Sequence, residues 1–186
     1  FSFIQSMNTV FGMSIYEQIG VMIAQDTHKE VTRQYKLLGT LSQKMESAVA
    51  KIHSELRSGK RDSDKDKEVE ELRIASELGP SLKDPDSTVD LYVLDKNGIE
   101  HYFDIVSAKP NMKEFVELKR KLLRWTCLRF SQNLNAKLIT QLAIPYNPYE
   151  PQPYERWTLK GLYDLRSEIL VGQEFWDFLG GQGTYV

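Results

Sequence analysis

Apolar residues recur at helical spacing over the first 25 positions: Phe3, Met7, Val10 and Phe11, then Ile15, Ile19, Met22 and Ile23. Gly12 divides the pattern in two, and Ser14-Ile15-Tyr16-Glu17 reads as a capping box that opens the second helix. Another helical stripe runs through 36–57 on Leu37, Leu38, Leu41, Met45, Val49 and Ile52. Residues 59–68, GKRDSDKDKE, are wholly polar and read as a solvated loop or a charged helix start. Helical spacing resumes over 69–79 and stops at Gly79-Pro80. The period then changes. Residues 89–94 (VDLYVL) are strand-like, Asp95-Lys96-Asn97-Gly98 is a turn, and 99–108 (IEHYFDIVSA) is a second strand, which together make a hairpin. Residues 112–131 read as a long helix and 136–144 as a buried strand; strand, helix, strand is a crossover, so the last two strands are expected to be parallel. The proline- and tyrosine-rich stretch 145–157 reads as extended surface chain, and 158–179 as helical again. The order predicts an α/β sandwich with a mixed sheet.

Composition narrows this only slightly. With 186 residues, 41% of them hydrophobic and 27% charged, the chain suits one domain over 1–186 with a charged loop or insertion around 59–68. One cysteine, Cys127, excludes a disulfide framework and any cysteine-based zinc cluster, and His28, His53 and His101 lack metal-ligand spacing. A net charge of -2 means that any nucleic-acid site must come from local charge. No apolar run approaches the ~18 residues of a spanning helix and no signal peptide is visible, so a soluble cytoplasmic protein without membrane contact is the expectation. The chain opens on Phe1 and stops at Val186 just after Gly180-Gly181-Gln182-Gly183, which suggests a fragment truncated on both sides.

The hairpin carries the candidate chemistry. Asp86, Asp90 and Asp104 lie in or beside strands, where carboxylates are poorly tolerated unless something binds them, and Lys109 ends the second strand. Carboxylates and a lysine at strand ends suit a divalent-metal site acting on a phosphate: the acids hold a hard cation, and the lysine orients water or offsets charge. A two-residue turn at Asn97-Gly98 would place Asp90 on one face with Ser107 and Lys109; a three-residue loop at 96–98 would set Asp90 opposite Asp104. Both registers remain open in the sequence. Asp95 and Glu100 read as surface carboxylates. Asp62, Asp64 and Asp66 imitate a calcium loop, but Lys67 and Arg73 stand where its glycine and bidentate glutamate belong.

Segment 109–129 has seven basic residues against two acidic, a local +5. Lys113, Arg120, Lys121 and Arg124 fall near one helical face and are candidate phosphate contacts; Phe115, Leu118, Leu122 and Trp125 mark the other. Asn147 and Arg156 in the proline-tyrosine segment are candidate base readers. Trp125, Trp157, Trp176 and Cys127 read as core. Glu17 reads as the cap partner of Ser14.

Several stretches are more specific: FGMSIYEQIG at 11–20, YFDIVSAKPNMKEF at 102–115, LAIPYNPYEPQPYERWTLKGLYDL at 142–165 and EFWDFLGGQGTY at 174–185. With these the chain resembles the TdeIII-like family of type II restriction endonucleases, within the PD-(D/E)xK nucleases, over nearly its whole length. The resemblance implies a restriction-endonuclease-like mixed sheet flanked by helices and Mg²⁺-dependent cleavage of both strands of double-stranded DNA at a short, GGNCC-like site. It also implies a partner methyltransferase, and cutting both strands of a palindromic site points to a homodimer. Asp90 matches the first metal-binding acid, Asp104 or Ser107 the second acidic position, and Lys109 the lysine. The match is imperfect: Asp104-Ile105-Val106 lacks a lysine two residues on, and Ser107-Ala108-Lys109 lacks an acid. A carboxylate lent by Glu117, Glu114 or Glu17 would complete the second form. The rival readings are a repair-type nuclease of the same core, a DNA-binding module that has lost catalysis, and an interaction domain with no DNA affinity.

Overall fold

The computed structural model describes residues 2–154 and 159–185, apart from the side chains of 2–11 and 85–86. Arg156 and Trp157, and the side chain of Asp86, therefore lie outside the described residues. Among the described residues the sheet has five strands, in the order β1 (Glu30–Leu38), β2 (Lys83–Leu94), β3 (Glu100–Ile105), β4 (Leu138–Ile144) and β5 (Ile169–Val171). β2 runs antiparallel to both of its neighbours, β1 and β3; β4 lies parallel to β3 and β5 parallel to β4. The helix α4 (Met112–Gln132) makes the expected crossover between β3 and β4. This is the mixed α/β sheet flanked by helices that the sequence predicts.

Side-chain alternation assigns the two faces. Tyr92, Tyr102 and Leu142 face a large core built with α2 (Gln43–Arg57), α3 (Lys65–Ala75) and α4, including Val49, Leu72, Leu122 and Trp125. Leu91, Val93, Phe103 and Ile105 face a smaller core under α1 (Ser2–Ala24) and α5 (Gln173–Gly180), where Ala24, Phe175 and Leu179 are sealed. Trp125, Trp176 and Cys127 are buried as expected.

Several elements differ from the sequence reading. The first helix runs unbroken through Gly12, and Ser14 engages Gln18, so Ser14 to Glu17 is no capping box. The predicted helix over 36–57 begins only at Gln43; ahead of it lies β1, an unforeseen edge strand whose half-exposed residues hide its period. Leu37 fills the core from that strand while Leu38 is exposed. At the end of β1, Gly39 passes so close to the Leu128 carbonyl that a Cβ would sit at 2.5 Å, so no larger residue fits there. Asp64 caps α3, accepting a hydrogen bond from Lys67 N, which explains the acidic run that imitates a calcium loop. The segment 158–179 is not one helix: Leu159, Leu162 and Tyr163 are buried from irregular turns, and β5 precedes the short α5.

Candidate functional site

The hairpin register is the three-residue one. Leu94 pairs with Glu100 and Leu91 with Phe103, and Asp95 Oδ1 accepts hydrogen bonds from Asn97 N and Ile99 N to hold the loop. One step further along this register Asp90 stands opposite Asp104. The two-residue register, which would have joined Asp90 to Ser107 and Lys109, is thereby excluded. Asp95 and Glu100 are not surface acids: the first organises the turn, and the second is clamped by Arg129 at 2.6 and 2.7 Å.

Asp90 sits where both strands are irregular. Its Oδ2 accepts a hydrogen bond from Ile105 N at 2.8 Å, so a side chain takes the place of a ladder partner. Gln34 of β1, whose Nε2 reaches Asp90 Oδ1 at 3.5 Å, has φ +51°, a left-handed conformation uncommon outside glycine. On either side of it, Arg33 turns to Glu17 of α1 while Tyr35 stacks on Tyr92 on the opposite face. Regular alternation would put 33 and 35 together, so the edge strand switches faces at Gln34, beside the carboxylate pair, without shifting its register with β2 from Arg33↔Leu91 to Tyr35↔Val89.

Asp104 is buried, and Lys121 Nζ donates to its Oδ1 at 2.9 Å. Its Oδ2 lies the same 2.9 Å from that ammonium but receives no aligned hydrogen bond. Burial and the facing Asp104 carboxyl push Asp90 up to about 7. Two facing acids share one lysine and stay short of positive charge. The described residues hold no group of three or more His, Cys, Asp and Glu side chains arranged for a metal. The pair itself still suits a hard divalent cation: hard oxygens, a charge deficit and one oxygen without an aligned donor.

The other expected site residues are elsewhere. Lys109 is exposed past the end of β3, its Nζ 5.1 Å over the Tyr149 ring, and Ser107 is exposed beside it. Among the described residues no contact joins either to the carboxylates. Glu17 is buried against Arg33 at 3.5 Å. Glu114 completes a capping box with Asn111 at the start of α4, and Glu117 is exposed. None of these three lends a carboxylate to the pair. The basic face of α4 is smaller than its charge count suggests. Lys121 is held by Asp104, Arg124 by Glu46 and Asp84, and Arg129 by Glu100. Lys113 and Arg120 remain exposed with no ion pair described for them. Asn147 donates to the Gln152 carbonyl at 2.7 Å and accepts from Tyr149 N, which makes it a brace of its own loop.

Sequence reasoning missed a buried cluster altogether. Lys119 Nζ donates to Glu68 and Glu168 at 2.6 Å each; Lys65 Nζ donates to Glu168 at 3.0 Å and to Thr140 at 2.7 Å. One sign was available: Lys119 falls four residues after Phe115 and three before Leu122, on the apolar stripe of its helix.

No solved structure matches the chain. Two restriction enzymes of Herpetosiphon aurantiacus, HgiCII and HgiEI, are each 28% identical over 98% of this chain and 67% of their own lengths. MjaII of Methanocaldococcus jannaschii, also a type II restriction enzyme, is 26% identical over 95% of this chain and 49% of its own length. The family model described as type II restriction endonuclease, HinfI, matches residues 1–186. The likeness to type II restriction endonucleases read from the sequence is thus borne out, and the chain belongs to the HinfI family of these enzymes.

Proposed function

We propose that residues 1–186 form a single nuclease domain that hydrolyses phosphodiester bonds in both strands of DNA at a short specific sequence, with Mg²⁺ held by Asp90 and Asp104. The observation that carries this reading is the facing carboxylate pair, under-supplied with positive charge, in a chain of this family. When bound there, Mg²⁺ supplies Lewis-acid polarisation of a phosphate oxygen and lowers the pKa of a bound water. The protein's own groups orient the acids. The Ile105 amide fixes the Asp90 carboxyl, and the edge strand brings Gln34 to its other oxygen. Lys113 and Arg120 on α4 offer exposed charge to flanking phosphates. A GGNCC-like target, a homodimer that cuts both strands across a two-fold axis, and a methyltransferase that protects host DNA belong to the same reading.

Plasmid cleavage tests it. Incubation with Mg²⁺ is expected to give discrete fragments, lost with EDTA and lost with Asp90→Asn; the fragment ends identify the site. An intact plasmid overturns the reading. The missing lysine at Val106 favours a second one, a DNA-binding module without catalysis. That version predicts a salt-dependent gel shift on DNA that is never cut.

A further inference from the structure

We infer that Lys121, from the third turn of α4, supplies the lysine of the carboxylate pair, the part that the sequence assigns to Lys109. The inference rests on the nuclease reading above. Its first support is position. Lys121 Nζ is 2.9 Å from both oxygens of Asp104. Lys109 lies beyond the end of β3, its ammonium over Tyr149. The preceding Ala108 carbonyl accepts from Tyr154 OH at 2.9 Å, which ties that stretch to the proline-tyrosine loop.

The second support is what surrounds the ammonium. Lys121 Nζ lies 4.9 Å over the Trp125 ring, one helical turn on, so a cation–π contact holds it while Asp104 pairs with it. Its side chain keeps 30% exposure. The other lysines that α4 and α3 turn inward, Lys119 and Lys65, are sealed at 0% and 5% and cannot meet a substrate. Of the buried-facing lysines, Lys121 alone among the described residues touches the acid pair and stays open to solvent.

The third support is the strand. Alternation from Asp104 puts residue 106 on the same face, where a lysine would project toward the acid pair. That residue is Val106, buried in the core under α4. The strand has an apolar side chain at this position, and the helix packed over it brings a lysine to the acid instead. The crossover helix therefore restores a charge that the strand lacks. On this assignment the ammonium neutralises charge developing on the phosphate and holds the attacking water, a role worth about 10²–10³ in rate for a single preorganised donor.

The experiment is single-turnover cleavage at saturating DNA, with the shift affinity measured separately in Ca²⁺ and folding followed by thermal unfolding. Lys121→Ala is expected to slow cleavage about 100-fold or more with little change in DNA affinity. Its loss in rate should exceed that of Lys109→Ala by at least about 30-fold. If Lys121→Ala does not fold, Lys121→Gln, which can still donate to Asp104, replaces it with the same expectation. Adding Val106→Lys to the Lys121 variant is expected to recover at least about ten-fold in rate; a folded double variant that stays as slow overturns the claim that a cation at Asp104 is what the site needs. Equal rates for the wild type and the Lys121 variant, or a larger loss from Lys109→Ala, overturn the assignment while leaving the nuclease reading intact. A wild-type protein that cuts nothing overturns the nuclease reading, and the assignment falls with it.

Discussion

Two clusters of acids and lysines share α4, and they are built to opposite ends. Lys65, Glu68, Lys119 and Glu168 are sealed inside the large core. Asp90, Asp104 and Lys121 lie at the irregular stretch of the hairpin, with Lys121 partly open. The sealed cluster balances its charge, two ammonium groups for two carboxylates, and its lysines donate at hydrogen-bond distance to both acids. Burial alone would raise both carboxyls; at Glu168, Lys65 and Lys119 outweigh it and hold the group below its ordinary range, while at Glu68, with Lys119 as its one hydrogen-bonded lysine, burial wins and the carboxyl is raised. At the hairpin the balance fails: burial and a facing acid raise Asp90 to about 7, and Asp104 Oδ2 has no aligned donor. The same residue types make a sealed structural element where ammonium and carboxylate groups match in number, and leave acids short of a positive partner where they do not.

Breaking the sealed cluster should have the largest effect. Lys119→Ala leaves two buried carboxylates with one lysine, and removing a partner from a buried ion pair costs about 3–5 kcal/mol. Urea unfolding should show that loss, or no folded protein at all. A loss under about 1 kcal/mol would mean that water reaches the cluster.

The open pair should respond to pH in the metal-free protein. The folded Asp90 pKa lies above its unfolded value, so the neutral form is favoured by folding. That contribution is fully present below about pH 4 and is lost as pH rises to about 7. Asp90→Asn should therefore gain stability relative to wild type between pH 5 and pH 8, by about 1–2 kcal/mol after allowing for partial exposure. Parallel pH profiles for the two proteins would show that Asp90 is not crowded.

Mg²⁺ should do what pH does, in reverse. A cation bound to the folded state alone at ten times its dissociation constant stabilises by about 1.4 kcal/mol. Thermal unfolding at pH 8 should rise with Mg²⁺ in the wild type and not in Asp90→Asn or Asp104→Asn. An identical rise in all three would remove the metal from this pair.

The smallest effect belongs outside both clusters. Arg120→Ala should change stability by no more than about 0.5 kcal/mol, since the residue is exposed and no ion pair is described for it. The salt dependence of DNA binding should fall by about one counterion.

Much of this molecule was readable in one dimension. The hairpin, the helix over 112–131, the strand over 136–144 and their parallel pairing all follow from a change of hydrophobic period and from turn chemistry. Asp90 and Asp104 stood out because an acid in an apolar strand needs a partner. The edge strand β1 escaped because a half-exposed strand has weak alternation, and β5 because three residues carry no period.

The sequence by itself determined the hairpin, the crossover helix with its parallel strand and the likeness to type II restriction endonucleases, and it marked Asp90 and Asp104 as acids in need of a partner; the elements it read depend on neighbours within one or two turns. The tertiary structure alone decided the hairpin register, the sealing of Lys119 and the pairing of Lys121 with Asp104. A charge count over 109–129 reads +5, yet most of that charge is spent on acids 17 to 78 residues away. Whether a lysine faces a phosphate, a core carboxylate or a metal-site acid depends on which distant strand packs beneath it, and no local pattern carries that information.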